Sequence, residues 1–296
     1  MKIAILGTRG VPNYYGGFEQ FVEFFSVYLA EKGHEVYCYN SHNHPYQEKT
    51  FHGVHILHQH DPEYKYGTFG QFIYDYNCIM DARKRDFDII LQLGYTSNSI
   101  WFFLMPKKPI NIINMDGLEW KRSKYSWPVQ KFLKVAEWLA AKSGDYLVAD
   151  SLGIQSFLMK TYKKESTYIA YGAHLFDTPN ENILQEYQIE KGNYNMVMAR
   201  FEPENNLDMV LEGVALNKED QAPILVIGKH ETKYGTYLKN KFKDNTNIRF
   251  IGGVYNLEHL NNLRYFSNFY FHGHSVGGTN PSLLEAMASQ ALVIAH

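Results

Sequence analysis

The sequence predicts an α/β fold made of two doubly wound domains, and three observations support this prediction. Short apolar runs alternate with segments whose apolar residues recur at helical spacing, which is typical of parallel sheets covered by helices. The alternation is interrupted once, where residues 174–194 become polar and irregular. The length of 296 residues also exceeds that of one ordinary domain. We therefore expect a first domain over residues 1–175 and a second over residues 176–296.

Composition narrows the class of protein. The chain is 45% hydrophobic and 20% charged with a formal net charge of -2, so it lacks the basic surplus typical of nucleic-acid-binding domains. No apolar run is long enough to span a bilayer, and the N-terminal run is too short for a signal peptide. Cys38 and Cys78 fall in a predicted strand and a predicted helix, as reduced core cysteines do. We expect a cytoplasmic protein without a nucleic-acid partner.

The elements of both domains follow from the alternating pattern. The first domain is predicted to begin with strands at Lys2–Leu6 and Glu35–Tyr39. Further strands are predicted at His52–Leu57, Asp88–Leu93, Ile110–Met115, Tyr146–Ala149 and Ser166–Tyr171, and helices at Gly70–Arg85, Val129–Ala141 and Ser151–Lys160. The second is predicted to have strands at Asn195–Ala199, Pro223–Ile227, Ile248–Ile251, Phe269–Phe271 and Leu292–Ala295, and helices at 209–214, 257–263 and after Asn280. Helices between successive strands favour parallel sheets in both domains.

A glycine-rich loop follows the first predicted strand, Lys2–Leu6. The loop includes Tyr14, Tyr15, Gly16 and Gly17. A helical pattern comes next, so strand, loop and helix form the first half of a βαβ unit. The glycine spacing is not G-x-G-x-x-G, and no acidic residue ends the second predicted strand to hold a ribose. A nicotinamide-dependent dehydrogenase is therefore disfavoured, and we expect the loop to lie over a ligand.

Two polar residues stand where open α/β sheets bind ligands, at the carboxyl ends of strands. Asp116 follows the predicted strand Ile110–Met115, and a turn or helix cap is the alternative role for it. Arg200 follows the predicted strand Asn195–Ala199, and its guanidinium can donate two parallel hydrogen bonds to a diphosphate. Because Glu202 is close by, a surface arginine with an acidic partner is the alternative.

The stretch His274–Ala288 is predicted to run from a strand end through a glycine pair into a helix. Asn280 is the predicted N-cap and Pro281 the first helical residue. The unsatisfied amides and the positive dipole end of such a helix favour an anion. Glu285, one turn later, can accept hydrogen bonds from hydroxyl groups. These features indicate a nucleotide-sugar site, and an ordinary strand-loop-helix turn is the alternative.

The last predicted strand, Leu292–Ala295, has no helix after it. Because helices normally cover both faces of a parallel sheet, we expect the second domain to be incomplete at its C-terminus. We also expect no metal site, since the sequence has no H-x-x-x-H or C-x-x-C spacing.

Three segments resemble family 4 retaining glycosyltransferases. Residues 200–208, RFEPENNLD, are similar to the R-x-x-x-E-K-N-x-D segment of that family. The stretch that ends in LEAMA, residues 284–288, is similar to its E-x7-E motif. Residues 7–19, GTRGVPNYYGGFE, resemble the N-terminal loop of a subgroup that includes bacterial rhamnosyltransferases of capsule and O-antigen synthesis. The combination is more specific than any one segment, and it extends over nearly the whole chain.

The resemblance implies the GT-B fold, with two Rossmann-like domains facing across a cleft. The acceptor binds mainly to the first domain and the nucleotide-sugar mainly to the second. The implied reaction moves a sugar, rhamnose in the subgroup, from a UDP- or dTDP-sugar to a polysaccharide or lipid-linked acceptor with retained configuration. It requires no cofactor and no metal. A lipid-linked acceptor would bring the enzyme to the inner face of the cytoplasmic membrane.

The same resemblance implies roles for individual residues. Arg200 neutralises the diphosphate leaving group, Glu285 binds the nucleotide ribose, and Asp116 lies where many relatives carry a histidine that contacts the donor sugar. The other donor-binding residues are Gly16, Gly17, Asn205, Gly278, Thr279 and Asn280. Apart from the resemblance, the aromatic rings of Tyr14, Tyr15 and Trp120 are candidates for stacking on acceptor sugars, and core packing is the favoured alternative for each one taken singly.

Three residues depart from the family pattern. Gly277 stands where the first glutamate of the E-x7-E motif belongs, Asn205 replaces a lysine, and Asp116 replaces a histidine. Each replacement changes the charge around the expected donor site. A rearranged transferase is the favoured interpretation. A non-catalytic nucleotide-sugar-binding protein and a nucleotide-sugar epimerase of the same fold are the alternatives.

Overall fold

The chain forms two α/β units in its computed structural model. The structure describes residues 1–122, 124–217, 222–275 and 279–295. One unit comprises residues 1–120 and 127–170, and the other comprises residues 121–126 and 171–296. The sequence places the boundary between residues 175 and 176, a few residues after this division. It does not predict that residues 121–126 pack with the second unit.

The first unit is built around one sheet. Its described strands are β1 (Lys2–Leu6), β2 (Glu35–Ser41), β3 (Thr50–Phe51), β4 (Val54–Gln59), β5 (Ile89–Leu93), β6 (Ile110–Asn114), β7 (Tyr146–Ala149) and β8 (Thr167–Tyr168). Its helices are α1 (Gly17–Glu31), α2 (Glu63–Tyr66), α3 (Thr68–Ala82), α4 (Trp127–Ser143) and α5 (Leu152–Tyr162), with 3₁₀ turns at Ser99–Leu104 and Glu119–Lys121. The strand order is β3-β4-β2-β1-β5-β6-β7-β8, and every pair except β3 with β4 is parallel.

Apolar residues on both faces of this sheet explain why the helices cover it. Val22 of α1 packs with Ile5 and Cys38 on one face. Cys78 and Ile79 of α3 belong to the cluster on the other face. Cys38 and Cys78 are both buried and form no disulfide, as the sequence predicts.

The loop after β1 lies at the switch point of the sheet. Strand β2, the next in the chain, pairs with β1 on one side, whereas β5, which comes later in the chain, pairs with β1 on the other side. Ligands of open α/β sheets bind in the crevice at such a point. Gly7 begins the loop with a φ of +85°, and a Cβ there would lie 2.3 Å from the Leu93 carbonyl oxygen. Only glycine allows this approach of the loop to the end of β5.

The second unit has a smaller sheet. Its described strands are β9 (Asn195–Met198), β10 (Ile224–Ile227), β11 (Ile248–Gly252), β12 (Tyr270–His272) and β13 (Val293–Ala295). Its helices are α6 (Leu207–Leu216), α7 (Lys233–Lys241), α8 (Leu257–Phe266) and α9 (Pro281–Ala288), with 3₁₀ turns at Glu181–Tyr187 and Pro203–Asn205. All pairs in the order β11-β10-β9-β12-β13 are parallel. The switch point falls between β9 and β12, so the loops after these two strands leave the sheet side by side.

No helix among the described residues is both long enough and apolar enough to cross a bilayer.

Gly7 provides a test of the close approach between the loop after β1 and strand β5. Gly7→Ala is expected to destabilise the protein more than Gly33→Ala, as measured by the midpoint of urea unfolding. Gly33 has a φ of +82°, but a Cβ added there would have no atom within 4 Å, so its substitution adds only the backbone strain of about 1–2 kcal/mol. Equal losses for the two variants would contradict the close approach.

Candidate functional site

Hydrogen bonds hold together the two loops at the switch point of the second sheet. Asn206 Nδ2 donates to the Gly273 carbonyl oxygen at 2.7 Å. The Ser275 backbone amide and hydroxyl both donate to the Glu204 carbonyl oxygen, at 3.2 and 2.8 Å. A Cβ on Gly273 would lie 2.5 Å from the Asn205 carbonyl oxygen, so glycine permits this contact. The residues that follow β9 and β12 therefore form one surface.

Arg200 is exposed on this surface, and its backbone is fixed. Its carbonyl oxygen accepts hydrogen bonds from the Glu202 amide at 2.8 Å and from Asn205 Nδ2 at 2.7 Å. Asn205 is 4% exposed. The structure thus gives Asn205 a role in shaping the loop, and its direct contact with a donor stays a prediction.

Helix α9 begins where the sequence predicts, but the backbone amides of its first turn already have hydrogen-bond partners, whereas the sequence predicts that they are free to bind an anion. Asn280 is the N-cap and accepts a hydrogen bond from the Ser282 amide at 3.0 Å, and Pro281 is the first helical residue. The amides of Leu283 and Leu284 donate to the Asn280 carbonyl oxygen. The expectation of free first-turn amides is therefore wrong, because the cap and the carbonyl of Asn280 satisfy them.

Two residues before Pro281 carry predicted donor contacts within the described part of this loop. Thr279 and Asn280 are half-buried there. Gly278, a predicted donor-binding residue, and Gly277, the departure from the family glutamate, lie outside the described residues.

Glu285 is held by a buried arginine that was not predicted from the sequence. Its Oε2 accepts a hydrogen bond from Nη2 of Arg264 on α8, and the Arg264 side chain is fully buried. Arg264 Nη1 also donates to Asn261 Oδ1 at 3.1 Å. A signal was present: Arg264 lies four residues after Leu260 on one helix face, and a charge on an apolar face needs a buried partner. The pair fixes the orientation of the Glu285 carboxylate.

Two stacked imidazoles border the loop after β12. The ring centroids of His272 and His274 are 4.3 Å apart. Burial lowers the pKa of both rings. For His274, the charges of His272, Arg200 and Arg122 add to the effect of burial, and its pKa falls to about 3. Both rings are therefore neutral near pH 7 and offer hydrogen bonds without adding charge.

The glycine pair of the first unit lies at the start of α1. Gly16 is the N-cap in an extended conformation and Gly17 is the first helical residue, so no side chain of the N-cap covers this helix end. The Glu19 carboxylate, which is buried, accepts hydrogen bonds from Thr8 Oγ1 at 3.1 Å and from the Arg9 amide at 2.9 Å. Glu19 thereby ties the loop after β1 to the helix. The donor contacts of both glycines stay predictions.

Tyr14 and Tyr15 keep exposed rings on the same loop, each 51% exposed. The Arg9 guanidinium lies 3.7 Å from the Tyr15 ring centroid and also pairs with Glu63 through Nε at 3.1 Å and Nη2 at 2.8 Å. His44 packs edge-on against Tyr14. One side of each ring is thus supported by the protein, and the acceptor contacts stay predictions.

Trp120 is placed as a packing residue rather than as an open stacking platform. Its Nε1 donates to Glu137 Oε2 at 3.1 Å, and Lys134 Nζ lies 4.6 Å from its ring centroid. Phe157 packs against the same indole. This arrangement favours the core-packing alternative for Trp120.

Asp116 lies at the carboxyl end of β6, as the sequence predicts. It adopts a φ of +47°, which is uncommon for a residue other than glycine, and its amide donates to Asn114 Oδ1 at 3.1 Å. The side chain is half-buried. Its position fits a ligand-facing carboxylate, and its contact with the donor sugar stays a prediction.

Among the described residues, no group of three or more His, Cys, Asp or Glu side chains is placed to hold a metal ion.

The fold is similar to that of several solved structures. Sucrose-phosphate synthase from Thermosynechococcus elongatus aligns with a TM-score of 0.81 and 14% identity over 99% of this chain and 80% of that one. Anabaena HepE in complex with UDP and glucose aligns with a TM-score of 0.74 and 16% identity over 100% and 80%. WaaG, a glycosyltransferase involved in lipopolysaccharide biosynthesis, aligns with a TM-score of 0.71 and 13% identity over 100% and 80%. The two Rossmann-like sheets are those of the GT-B fold, which confirms the predicted fold class.

Two family models match the chain, one in each half. Residues 1–174 match the model described as a domain of unknown function, DUF1972, and the chain belongs to that family. Residues 179–296 match the model described as glycosyl transferases group 1, so the second half is a group 1 glycosyltransferase domain. No curated protein matches the chain significantly. The subgroup of rhamnosyltransferases is not distinguished by these matches.

The buried pair of Arg264 and Glu285 can be tested by a double-mutant cycle. Arg264→Met is expected to lower the free energy of unfolding by about 3–5 kcal/mol, because it leaves the carboxylate buried without its cation. Adding Glu285→Leu is expected to restore most of this loss, since it removes the uncompensated charge. Arg200→Met, at an exposed arginine of the same unit, is the control and is expected to change stability by no more than about 0.5 kcal/mol. A double variant as unstable as Arg264→Met would contradict the pairing.

Proposed function

We propose that this protein transfers a sugar from a nucleoside-diphosphate sugar of the UDP or dTDP type to a saccharide acceptor, with retained configuration. One observation carries the proposal. Arg200 and the stretch that contains Glu285 follow the adjacent strands β9 and β12 at the switch point of the second sheet, within the group 1 glycosyltransferase domain. Ligands of open α/β sheets bind at this point.

Arg200 supplies the main electrostatic contribution in the proposed mechanism. When the bond between the sugar and the diphosphate breaks, negative charge develops on the leaving phosphate. The Arg200 guanidinium neutralises it, and the hydrogen bonds from Glu202 and Asn205 to the Arg200 carbonyl hold that segment in place before the reaction. Because an arginine supplies the positive charge, the proposal requires neither a metal ion nor a cofactor.

Glu285 binds the nucleotide in this proposal. Its carboxylate accepts hydrogen bonds from ribose hydroxyl groups while Arg264 holds it in position. Thr279 and Asn280 meet the donor through their backbone. In the first unit, Asp116 contacts the donor sugar and the Gly16 and Gly17 amides meet donor phosphate, as the family resemblance implies. The exposed rings of Tyr14 and Tyr15 contact the acceptor.

The nature of the substrates is part of the proposal. The resemblance of residues 7–19 to the loop of bacterial rhamnosyltransferases supports rhamnose as the donor sugar. The similarity in fold to HepE, crystallised with UDP and glucose, supports a nucleoside-diphosphate donor. The similarity to WaaG supports a growing polysaccharide or lipid-linked oligosaccharide as the acceptor.

Arg200 provides the direct test of this function. Arg200→Ala is expected to lower kcat about 10²- to 10³-fold, as the loss of other preorganised donors to a developing anion does. The measurement is release of nucleoside diphosphate from a panel of UDP- and dTDP-sugars in the presence of saccharide acceptors. Arg249→Ala is the control, because the Arg249 guanidinium donates to the Tyr187 and Gln188 carbonyl oxygens instead. Full turnover by Arg200→Ala would refute the mechanism. Binding of a nucleotide-sugar without transfer to any acceptor would support the non-catalytic alternative.

We also propose that the protein meets a lipid-linked acceptor at the inner face of the cytoplasmic membrane. Phe102 and Phe103 of the turn Ser99–Leu104 are 43% and 64% exposed, and the exposed Lys107 and Lys108 follow them. Exposed aromatic rings beside lysines favour contact with an anionic lipid surface.

Vesicle flotation tests this contact. The protein is expected to float with vesicles that contain phosphatidylglycerol, and Phe102→Ser with Phe103→Ser is expected to abolish flotation because the rings no longer enter the interface. Tyr64→Ser, at a ring that is 72% exposed elsewhere in the same unit, is the control. Absence of the wild-type protein from the floated fraction would refute membrane contact.

A further inference from the structure

Tyr95 connects the loops that follow strands β5 and β6 of the first sheet. These strands are parallel neighbours, and the Gly94 amide donates to the Asn114 carbonyl oxygen at 3.0 Å where both strands end. Tyr95 is the next residue in the chain, is 1% exposed and belongs to the same core cluster as Ile113. The loop after β5 therefore places a buried tyrosine beside the end of β6.

The Tyr95 hydroxyl contacts the backbone of the segment that follows Asp116. It donates to the Gly117 carbonyl oxygen at 3.0 Å and accepts from the Glu119 amide at 3.1 Å. Burial raises the pKa of this hydroxyl, so it stays protonated near pH 7 and can donate. One side-chain group therefore holds two backbone groups close to Asp116.

The backbone of Asp116 itself is also held by a buried side chain. Its amide donates to Asn114 Oδ1 at 3.1 Å, and Asn114 is 6% exposed. The φ of +47° at Asp116 is uncommon for a residue that has a Cβ, and such a conformation persists where the surrounding contacts impose it. Asn114 and Tyr95 contact the chain before and after Asp116, so together they can impose this conformation.

Glu137 of α4 extends the same network. Its carboxylate is buried, and Oε2 lies 3.2 Å from the Tyr95 hydroxyl and accepts from Trp120 Nε1 at 3.1 Å. Tyr162 of α5 donates to Oε1. Burial of a carboxylate costs desolvation energy, and apolar side chains would hold an ordinary turn without this cost. The network therefore favours a requirement for one defined geometry of the segment after Asp116.

We propose that Tyr95 is a positioning residue, which holds the Asp116 carboxylate in the orientation that contacts the donor sugar. This inference rests on the proposed function, in which Asp116 makes that contact, and it assigns an indirect role to a buried residue. A group that contacts substrate contributes most when the residues behind it hold it close to its productive geometry. Because Tyr95 acts through backbone contacts, loss of its hydroxyl displaces Asp116 without removing a charge.

A double-mutant cycle on turnover tests this role. Tyr95→Phe removes only the hydroxyl and is expected to lower kcat about 10- to 100-fold, because a small displacement of a substrate-contacting group can slow a reaction to this extent. In the Asp116→Asn background, Tyr95→Phe is expected to change kcat by no more than about twofold, since the contribution of Asp116 is already lost. The measurement is sugar transfer with the UDP- or dTDP-sugar and the saccharide acceptor that the wild-type protein uses best.

Tyr39→Phe is the matched control, because it also removes a buried hydroxyl from the first unit. The Tyr39 hydroxyl donates to Asp81 Oδ2 at 2.8 Å, and Asp81 keeps Arg85 as a partner in the variant. Tyr39 shares no hydrogen-bond partner with Tyr95, so Tyr39→Phe is expected to keep kcat within about twofold of the wild type.

The cycle distinguishes positioning from a purely structural role. Equal effects of Tyr95→Phe in the wild-type and Asp116→Asn backgrounds would refute the proposal, because Tyr95 would then act independently of Asp116. Wild-type kcat in Tyr95→Phe, or an equal loss in Tyr39→Phe, would also refute it. In these cases the wild-type protein still transfers sugar, so only this inference fails. A wild-type protein that transfers no sugar from any UDP- or dTDP-sugar contradicts the proposed function and this inference with it.

Discussion

The hydrogen-bonded contact between the loops after β9 and β12 is the constraint on which the candidate site depends. Asn206 donates to the Gly273 carbonyl oxygen, and Ser275 donates to the Glu204 carbonyl oxygen, so the two strand ends cannot separate without breaking these partly buried hydrogen bonds. Gly273 allows the backbones to approach, and the loop after β9 presents Arg200 on the resulting surface. Parallel strands put these loops at one edge of the sheet, and the switch in strand order leaves room for a ligand there.

Buried charges distinguish this site from an ordinary strand-loop-helix connection. Arg264 lies within the core and donates a hydrogen bond to the Glu285 carboxylate. Burial of this ion pair costs desolvation energy, and the pair holds the Glu285 side chain in one orientation. Arg122 approaches Glu204 from a segment that is remote in sequence. The exposed Arg200 and the two neutral imidazoles of His272 and His274 complete this set of groups. Such a set suits a ligand with a diphosphate better than it suits a purely structural turn.

Most helices and strands could be predicted from the sequence, because the spacing of apolar residues, helix caps and glycine turns depends on residues that are close together in the chain. Ser151 caps α5, and Asn280 with Pro281 begins α9, as predicted. Helix α7, Lys233–Lys241, was not predicted, since Leu238 is almost alone among its residues in facing the core. The partners Arg264 with Glu285 and Arg122 with Glu204 were also not predicted. They join separate segments, and sequence spacing carries no information on which buried charges meet across helices. The same limit hid the role of Asn205, whose side chain binds the Arg200 carbonyl.

A crystal structure of the protein with bound UDP or dTDP is the most direct test of a donor site at the ends of β9 and β12. The account predicts phosphate oxygens within hydrogen-bonding distance of the Arg200 guanidinium and ribose hydroxyl groups at the Glu285 carboxylate. A nucleotide that binds in the second unit away from both residues, or only at the loop after β1 in the first unit, would contradict it.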